Sequence, residues 1–365
     1  MTNTFPTEGN LSGLKREDFQ KEVDGKQTDL FILKNKKGME VAVTNYGCAI
    51  LSIMVPDREG KYANVALGHD SIDHVINSPE PFLSTTIGRY GNRIANGKFT
   101  LCGQEYDLTI NNGPNSLHGG PTGFHTRVWD AEQADESSVV FTYLSADGEE
   151  GFPGNLQVEM IYRLEEDTNA LVMEYRATTD KPTLVNLTNH VFINLNGIAA
   201  PSPSIENNAV CINADYYTPI DEVSIPTGEI LKVEGTPMDF RTPQVVGDRI
   251  NDEFQQLVYG SGYDHCYVLN KTESGELSYA ATCYDPESGR IMEVFTTEPG
   301  VQLYTGNWLN GFAGAHGATF PARSGICFEA QSFPDTPNKP HFPSAALFPE
   351  DEYQQVTVYS FDVQE

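Results

Sequence analysis

The sequence predicts an all-β protein folded as one large antiparallel β-sandwich. Many short runs alternate apolar and polar residues or are rich in β-branched and aromatic side chains, which is typical of strands with one buried face. Dipeptides that tolerate positive φ stand between several of these runs. Helical periodicity is confined to two short pieces. A doubly wound α/β fold, which needs a helix between successive strands, is therefore not expected.

The predicted elements follow one another along the whole chain. Strands are predicted over residues 30–33, 40–44, 139–144, 156–164, 170–178, 183–195, 265–269, 277–284, 291–297, 326–333 and 356–361. The dipeptides Asn96-Gly97, Asp147-Gly148 and Ser288-Gly289 are each predicted to turn one antiparallel strand into the next. Short helices are predicted over residues 71–76 and 252–259.

A single domain over residues 1–365 is predicted. All-β sandwiches often exceed the usual domain length as one unit, so length alone does not require a second domain. The sequence shows no repeat of fixed period and no low-complexity linker that would separate two cores. The long connections between strands are the expected location of functional residues.

The charge balance limits the class of partner. The chain has 23 Lys and Arg against 51 Asp and Glu, a formal net charge of -28. Such a surface repels nucleic acid and anionic membranes, and the apolar runs are too short to cross a bilayer. We expect a neutral small-molecule ligand, no nucleic-acid partner and no membrane partner. The N-terminus lacks a basic segment followed by an apolar stretch, so a cytoplasmic location is expected.

Two histidines stand in unusual surroundings. His118 lies in Asn115-Ser116-Leu117-His118-Gly119-Gly120, where paired glycines let the backbone approach a ligand closely. His190 ends Leu187-Thr188-Asn189-His190, which places polar residues inside a strand-like run. A histidine can give or take a proton near neutral pH, so both are candidates for acid/base chemistry. Alternatively, His118 could cap a turn and His190 could be a core histidine with satisfied hydrogen bonds.

Two carboxylates are the other candidates. Asp264 precedes an apolar strand in Gly262-Tyr263-Asp264-His265 and could accept hydrogen bonds from sugar hydroxyls. Glu329 lies inside the apolar run Ile326-Cys327-Phe328-Glu329-Ala330-Gln331, and such a Glu is rarely buried without a reason. Alternatively, Asp264 could be a turn residue and Glu329 could pair with an arginine. No His or Cys spacing of a known metal motif occurs, so no metal is expected.

Taken together, the segments resemble the aldose 1-epimerase (galactose mutarotase) family over nearly the whole chain. The resembling segments are Thr44-Asn45-Tyr46-Gly47, Gly88-Arg89-Tyr90-Gly91-Asn92-Arg93-Ile94-Ala95, Leu117-His118-Gly119-Gly120, Gly148-Glu149-Glu150-Gly151-Phe152-Pro153-Gly154, Thr188-Asn189-His190, Tyr217-Thr218-Pro219-Ile220-Asp221, Pro226-Thr227-Gly228, Asp239-Phe240-Arg241, Gly262-Tyr263-Asp264-His265, Pro299-Gly300-Val301-Gln302, Glu329 with Gln331, and Pro334-Asp335. Each segment alone is a weak signal. Their common order makes chance agreement improbable.

The resemblance implies a galactose mutarotase-like supersandwich with a sugar in an open cleft. It also implies interconversion of the α and β anomers of free aldohexoses such as galactose and glucose, without a cofactor. By position, Glu329 corresponds to the catalytic base, His190 to the catalytic acid and His118 to a histidine that assists at the ring oxygen. Arg89 and Asp264 correspond to sugar-binding residues. The chain departs from the family pattern in residues 191–193, where an aromatic Tyr-Phe pair is frequent.

The chemistry predicts that Glu329 begins ionised and His190 begins protonated. Reference pKa values of about 4.3 for Glu and about 6.5 for His make the first state easy, whereas the second needs a nearby carboxylate. Alternative functions are a hexose-6-phosphate 1-epimerase, a non-catalytic carbohydrate-binding protein and a glycoside hydrolase with paired carboxylates. The sequence leaves open whether the protein is a monomer or a homodimer.

Overall fold

Antiparallel sheets dominate the computed structural model, which describes Phe5 and residues 7–199 and 203–364. The first strands are β1 Glu22–Val23, β2 Lys26–Gln27, β3 Leu30–Lys34, β4 Glu40–Thr44, β5 Ile50–Pro56, β6 Tyr62–Asn64, β7 Thr86–Ile87, β8 Arg93–Ile94, β9 Lys98–Leu101, β10 Gln104–Asp107, β11 Ser116–Leu117, β12 Asp130–Glu132, β13 Ser138–Ser145, β14 Leu156–Leu164 and β15 Ala170–Thr179. The later strands are β16 Thr183–Leu184, β17 Thr188–Asn189, β18 Ala209–Ile212, β19 Tyr216–Tyr217, β20 Leu231–Lys232, β21 Gln244–Val245, β22 Asp264–Val268, β23 Ser278–Tyr284, β24 Arg290–Thr296, β25 Gly300–Tyr304, β26 Phe312–Ala313, β27 Thr319–Phe320, β28 Cys327–Gln331, β29 Ala346–Leu347 and β30 Tyr353–Val363. The helices are α1 Ile72–Ile76 and α2 Gln255–Gly260, with 3-10 turns at Arg16–Phe19, Ala95–Gly97, Phe124–Thr126, Glu149–Gly151, Val246–Asp248, Ala315–Gly317 and Thr336–Asn338.

Three sheets form the body of the protein. The largest has nine strands in the order β12-β13-β14-β15-β30-β24-β23-β18-β21. A five-stranded sheet has the order β20-β19-β22-β25-β28, and a four-stranded sheet has the order β3-β4-β5-β6. Neighbouring strands in these sheets are antiparallel throughout the described residues. The predicted antiparallel β-sandwich is therefore confirmed.

One core joins the three sheets, and within the nine-stranded sheet strands such as β14 and β24 alternate in burial. In β14 every second side chain from Leu156 to Leu164 is buried, and the intervening ones are partly or fully exposed. Side chains from all three sheets join one cluster, with Met160 from the nine-stranded sheet, Val41 from the four-stranded sheet and Leu303 from the five-stranded sheet. In an alternating strand such as β14, a register shift of one residue would turn the apolar side to solvent, so the pattern specifies the pairing.

One predicted strand is wrong in extent. Residues 183–195 form only the short strands β16 and β17, joined and followed by loop. The backbone of this segment changes partners repeatedly: Asn186 N donates to Arg89 O, His190 N to Thr85 O and Ile193 N to Ile326 O. No single neighbouring strand can therefore pair with the whole segment. His190 lies in the loop that follows β17.

Two of the three predicted turns join paired strands. Ser288-Gly289 connects β23 to β24, and Asp147-Gly148 lies in the connection from β13 to β14, with Gly289 and Gly148 both at positive φ. Asn96-Gly97 also has positive φ, but it links β8 to β9, which pair with β11 and β10 instead. The prediction of a strand-to-strand turn there is wrong, although the backbone conformation was foreseen.

The predicted helices are present in shortened form as α1 and α2. Among the described residues, neither of them, nor any other helix, is long and apolar enough to cross a membrane.

Candidate active site

An open cavity of about 500 Å³ is lined by residues from three strands of the five-stranded sheet, β22, β25 and β28. Strand β28 contributes Glu329 to its wall, and β22 contributes Asp264. His118 and His190 enter from the connections that follow β11 and β17. Four of the five predicted site residues, distant in sequence, therefore line one cavity large enough for a sugar ring.

Glu329 and His190 face each other inside this cavity. His190 Nε2 lies 3.6 Å from Glu329 Oε1, and the side chains are only 6% and 2% exposed. This distance is longer than a normal hydrogen bond. Glu329 Oε2 is buried and has no hydrogen-bond partner among the described residues. A buried oxygen in this state needs a donor, and a hydroxyl group in the cavity would supply one.

The tautomer of His118 follows from a backbone contact. Asn92 N donates to His118 Nδ1 over 3.0 Å, so in the neutral ring Nε2 carries the proton. The His118 and His190 rings meet edge to face, with their centroids 5.1 Å apart. His118 itself has φ +53, and Gly119 and Gly120 follow it at positive φ. A Cβ on Gly119 would stand 2.0 Å from Gly88 O, so this close backbone approach requires glycine.

Asp264 is paired with Arg93, which was not among the predicted site residues. Asp264 Oδ1 accepts a hydrogen bond from Gln302 Nε2 over 2.8 Å, and Arg93 Nη1 lies 3.7 Å from Asp264 Oδ2. Arg93 also donates through Nε to Asn112 Oδ1 over 2.9 Å. Arg93 and Asp264 are both buried, and both line the cavity. Together they can offer a charged donor and a charged acceptor to a hydroxylated ligand.

Arg89, expected to bind sugar, does not line the cavity. Its Nε donates to Ser145 Oγ, its Nη1 to Pro153 O and its Nη2 to the carbonyls of Ser145 and Ala146. These contacts hold it against the connection from β13 to β14, where its guanidinium satisfies backbone groups. The arginine at the cavity is Arg93, four residues later in the same segment. Arg93 belongs to strand β8, which pairs with β11 next to His118, whereas Arg89 lies before that strand.

Aromatic rings form the apolar part of the wall. Phe82 packs against His118, with ring centroids 4.7 Å apart, and lies 6.3 Å from the ring of His190. Tyr304 and Trp308 stack 5.7 Å apart, and Trp308 is 48% exposed at the rim. Aromatic faces next to buried polar groups suit a sugar, which presents C–H faces as well as hydroxyl edges.

Burial in the cavity works against the expected resting ion pair of Glu329 and His190. Burial, with a smaller contribution from Asp264, raises the pKa of Glu329 well above its usual value. Burial lowers the pKa of His190 to about 4 and the pKa of His118 well below its usual value. Burial therefore favours a protonated Glu329 and a neutral His190, because low-dielectric surroundings disfavour both charged forms.

Another acidic group lines the cavity and was not predicted. Glu80 precedes Pro81 and Phe82, and burial raises its pKa to about 7. It lies in a loop without strand periodicity, so the sequence offered no signal for it.

Among the described residues, His118, His190 and Glu329 form the group able to hold a metal ion, with donor atoms within 4.8 Å of one another.

The fold and this cavity define an all-β protein with acid/base groups and a sugar-sized cleft. The family model for aldose 1-epimerase matches residues 29–360. The chain belongs to the aldose 1-epimerase family, a family of isomerases, as its motifs had indicated.

Individual relatives agree with this assignment. The galactose mutarotase of Bos taurus is 44% identical over 326 residues, which cover 89% of this chain and 92% of the relative. The aldose 1-epimerase of Escherichia coli strain K12 is 37% identical over 341 residues, 93% of this chain and 96% of the relative.

Solved structures are similar to the whole fold. The crystal structure of the GalM/aldose epimerase homologue from C. elegans has a TM-score of 0.85 and 30% sequence identity, and covers 93% of this chain and 100% of its own. The crystal structure of galactose 1-epimerase from Lactobacillus acidophilus NCFM has a TM-score of 0.82 and 28% identity, and covers 94% of this chain and 97% of its own.

Proposed function

We propose that this protein is an aldose 1-epimerase that interconverts the α and β anomers of free aldohexoses such as galactose and glucose. The observation that carries the proposal is the approach of His190 Nε2 to within 3.6 Å of Glu329 Oε1 in a cavity of about 500 Å³. A hexose ring placed there can present its C1 hydroxyl to the carboxylate and its ring oxygen to the imidazole.

In the proposed reaction, Glu329 takes the proton of the C1 hydroxyl while His190 protonates the ring oxygen and the C1–O5 bond breaks. Rotation about C1–C2 presents the other face of the aldehyde. The two proton transfers then run in reverse as the ring closes. The raised pKa of Glu329 makes its carboxylate a stronger base, and the lowered pKa of His190 makes its imidazolium a stronger acid. Burial therefore makes both groups more reactive once the ion pair has formed, although it favours the neutral pair before the step.

The remaining residues position the sugar. His118 presents a Nε2–H donor to the ring oxygen or a neighbouring hydroxyl, because its Nδ1 is occupied by Asn92 N. Arg93 and Asp264 offer a donor and an acceptor to hydroxyls on the opposite side of the ring. We assign the sugar-binding role expected of Arg89 to Arg93.

The test is polarimetry on freshly dissolved α-D-glucose and α-D-galactose. We expect the protein to speed the drift of optical rotation to equilibrium beyond the rate in buffer. A drift no faster than in buffer with both sugars would refute the proposed reaction. It would leave the non-catalytic carbohydrate-binding protein as the explanation, and sugar binding without turnover would identify that protein.

A hexose-6-phosphate substrate fits the cavity poorly. Arg93 is paired with Asp264, and the same wall holds the acids Glu80, Glu222 and Glu329. A phosphate dianion would meet these acids with one arginine to balance them. We expect glucose 6-phosphate to be a much poorer substrate than glucose in the same assay.

We propose that the reaction needs no cofactor. Proton transfer between the sugar, Glu329 and His190 completes the exchange without a metal or a redox step. The donor set of His118, His190 and Glu329 nevertheless resembles a zinc site, so the point needs a test. Dialysis against EDTA should leave the polarimetric rate unchanged, and elemental analysis of the active protein should find less than one equivalent of bound metal. Loss of activity on dialysis, restored by Zn²⁺, would contradict this.

We further propose that the protein acts in the cytoplasm without a nucleic-acid or membrane partner, in agreement with its net charge of -28. Cell fractionation tests the location. Light scattering on the full chain as it elutes from a size-exclusion column distinguishes a monomer from a homodimer.

A further inference from the structure

A second cavity of about 510 Å³ matches the catalytic cavity in size but lies elsewhere. It is formed where the loop from β24 to β25 meets the residue after β28 and the start of β30. Gln355 contacts the strand that carries Glu329, since its Nε2 donates to Ala330 O over 3.0 Å, and Ser332, the residue after that strand, donates its N–H to Asn186 Oδ1 over 2.9 Å. The cavity is therefore a built part of the fold, next to the catalytic strand.

Glu298 gives this cavity a buried acidic group that the reaction does not use. The residue is 9% exposed, and burial raises the pKa of its carboxyl to about 7. Its backbone N–H donates to Thr296 Oγ1 over 3.1 Å, but no described residue donates a hydrogen bond to the carboxyl. The two carboxyl oxygens are therefore free to accept hydrogen bonds from a ligand in the cavity.

A second polar group among the residues that line this cavity lacks a partner. The hydroxyl of Ser332, a residue 7% exposed, has no hydrogen-bond partner among the described residues. The other walls include Pro299, Leu347 and Val356, which offer apolar contact. Polar groups set among apolar ones are typical of sites for small molecules.

The charges of the cavity limit the class of ligand. Among the described residues that line it, Glu298 is the charged one, and none is Lys, Arg or His. Glu298 would repel an anion. The ammonium of Lys271 lies close enough to lower the pKa of Glu298 somewhat, while its Nζ donates to the carbonyls of Thr296 and Glu276. This nearby positive charge disfavours a cationic ligand.

We propose that the second cavity binds a small neutral polyhydroxylated molecule, such as a sugar or a polyol, through Glu298 and Ser332. The two oxygens of the carboxyl accept hydrogen bonds from neighbouring hydroxyls, and the Ser332 hydroxyl bonds a third. The binding does not depend on anomer exchange, so it holds or fails independently of the proposed function.

The test is a methyl NMR titration of the full chain. Methyl groups of Leu347 and Val356 report on the second cavity, and those of Leu117 and Val223 report on the catalytic cavity. The probes are myo-inositol, which has no anomeric carbon, D-galactose and 2-aminoethanol. We expect myo-inositol or D-galactose to shift the Leu347 and Val356 signals in a saturable manner.

Variants separate specific binding from general solvent effects. Glu298→Gln or Ser332→Ala should weaken the binding at Leu347 and Val356 by about tenfold, the scale of one lost hydrogen bond to a charged or buried group. Glu350→Gln, at an exposed residue outside the cavity, should leave it unchanged. Normal polarimetric activity in the Glu298→Gln and Ser332→Ala variants would show that they are folded.

Three results would overturn the proposal. One is the absence of any saturable shift at Leu347 and Val356 with both hydroxylated probes. Another is equal binding in wild type and both cavity variants. The third is a response to 2-aminoethanol alone, which would make the site one for cations.

Discussion

Glu329 and His190 share one proton in either of two forms. The ion pair consists of a carboxylate and an imidazolium, and the neutral pair consists of a carboxylic acid and an imidazole. Burial favours the neutral pair, since it raises the pKa of Glu329 and lowers that of His190. In the proposed reaction, ring opening converts the ion pair into the neutral pair. The surroundings therefore favour the form of the pair that accompanies the opened sugar, whereas the ion pair that starts ring opening must be formed from the neutral pair at a cost in free energy.

Removing either proton carrier should abolish most of the activity. We expect Glu329→Gln and His190→Asn each to reduce kcat by about a hundredfold or more, the usual scale for losing a general acid or base. Polarimetry with α-D-galactose measures the effect. Glu105→Gln and His341→Asn alter exposed residues of the same types and should turn over normally. Normal kcat in the Glu329 or His190 variant would remove that residue from the mechanism.

The two arginines of the segment 88–95 should behave differently. Arg93→Ala should raise KM and lower kcat, because it removes a donor from the cavity. Arg89→Ala should instead lower the free energy of unfolding by about 2 kcal/mol or more, because buried acceptors around it lose their donors. Steady-state polarimetry and urea unfolding measure the two effects. The reverse pattern would restore Arg89 as the sugar-binding residue.

At the scale of elements, short strands decide which side chains meet. Strand β8 pairs with β11 through two residues each, with Arg93 opposite Leu117. This pairing brings Arg93 beside His118, the next residue after β11. The left-handed backbone at His118 and the two glycines after it then direct the chain away. A small amount of backbone pairing thus positions one charged and one imidazole side chain of the cavity.

Substitution of Gly119 tests whether the close backbone approach after His118 is needed. Gly119→Ala should lower the free energy of unfolding by about 1–3 kcal/mol more than Gly103→Ala, because the new Cβ meets Gly88 O and the backbone must shift. The two glycines have nearly equal φ, +80 and +81, and nothing lies within 4 Å of a Cβ at Gly103. Gly119→Ala should also reduce activity by displacing His118. Urea unfolding and polarimetry check both effects, and equal destabilisation by the two substitutions would show that the contact with Gly88 is unimportant.

At the scale of the whole molecule, several ionisable side chains are buried in their neutral forms. His69 is 4% exposed, and neither of its ring nitrogens has a hydrogen-bond partner among the described residues. Burial, with a smaller contribution from His74, lowers its pKa to about 4. In the unfolded chain its pKa is about 6.5, so between these values the unfolded state binds more protons than the folded state. The stability contributed by a neutral His69 is therefore lost as pH falls.

Replacing His69 should flatten this dependence. We expect His69→Gln to lose less stability than wild type as pH falls from about 6.5 to about 4. Urea unfolding at a series of pH values measures the difference, with His341→Asn as the exposed control. Parallel profiles for wild type and His69→Gln would show that His69 does not contribute to acid sensitivity.

Much of the fold was predictable from local pattern. Strand β14 was predicted over its observed range, because alternate side chains between Leu156 and Leu164 face the core. Strands β5 and β25 were missed, since nearly all of their residues are buried and the alternation disappears. The break within residues 183–195 also escaped prediction, because it depends on backbone partners far away in sequence.

The site was predictable where the residue type itself was unusual. Glu329 was noticed because it interrupts an apolar strand, and His190 because it stands with polar residues in a strand-like run. Both line the cavity. The choice between Arg89 and Arg93 required tertiary structure, since both belong to one matching segment. Glu80 required it as well, because only the fold brings its loop against the imidazoles.

The sequence contains two tryptophans, and the fold places them in very different surroundings. Trp129 is 1% exposed among core aromatics, whereas Trp308 stands at the mouth of the catalytic cavity, stacked on Tyr304. Sugar entering the cleft would change the environment of Trp308 and leave Trp129 untouched. The protein therefore carries its own fluorescent reporter of substrate arrival, and its emission can follow binding in wild type and in variants that no longer turn over.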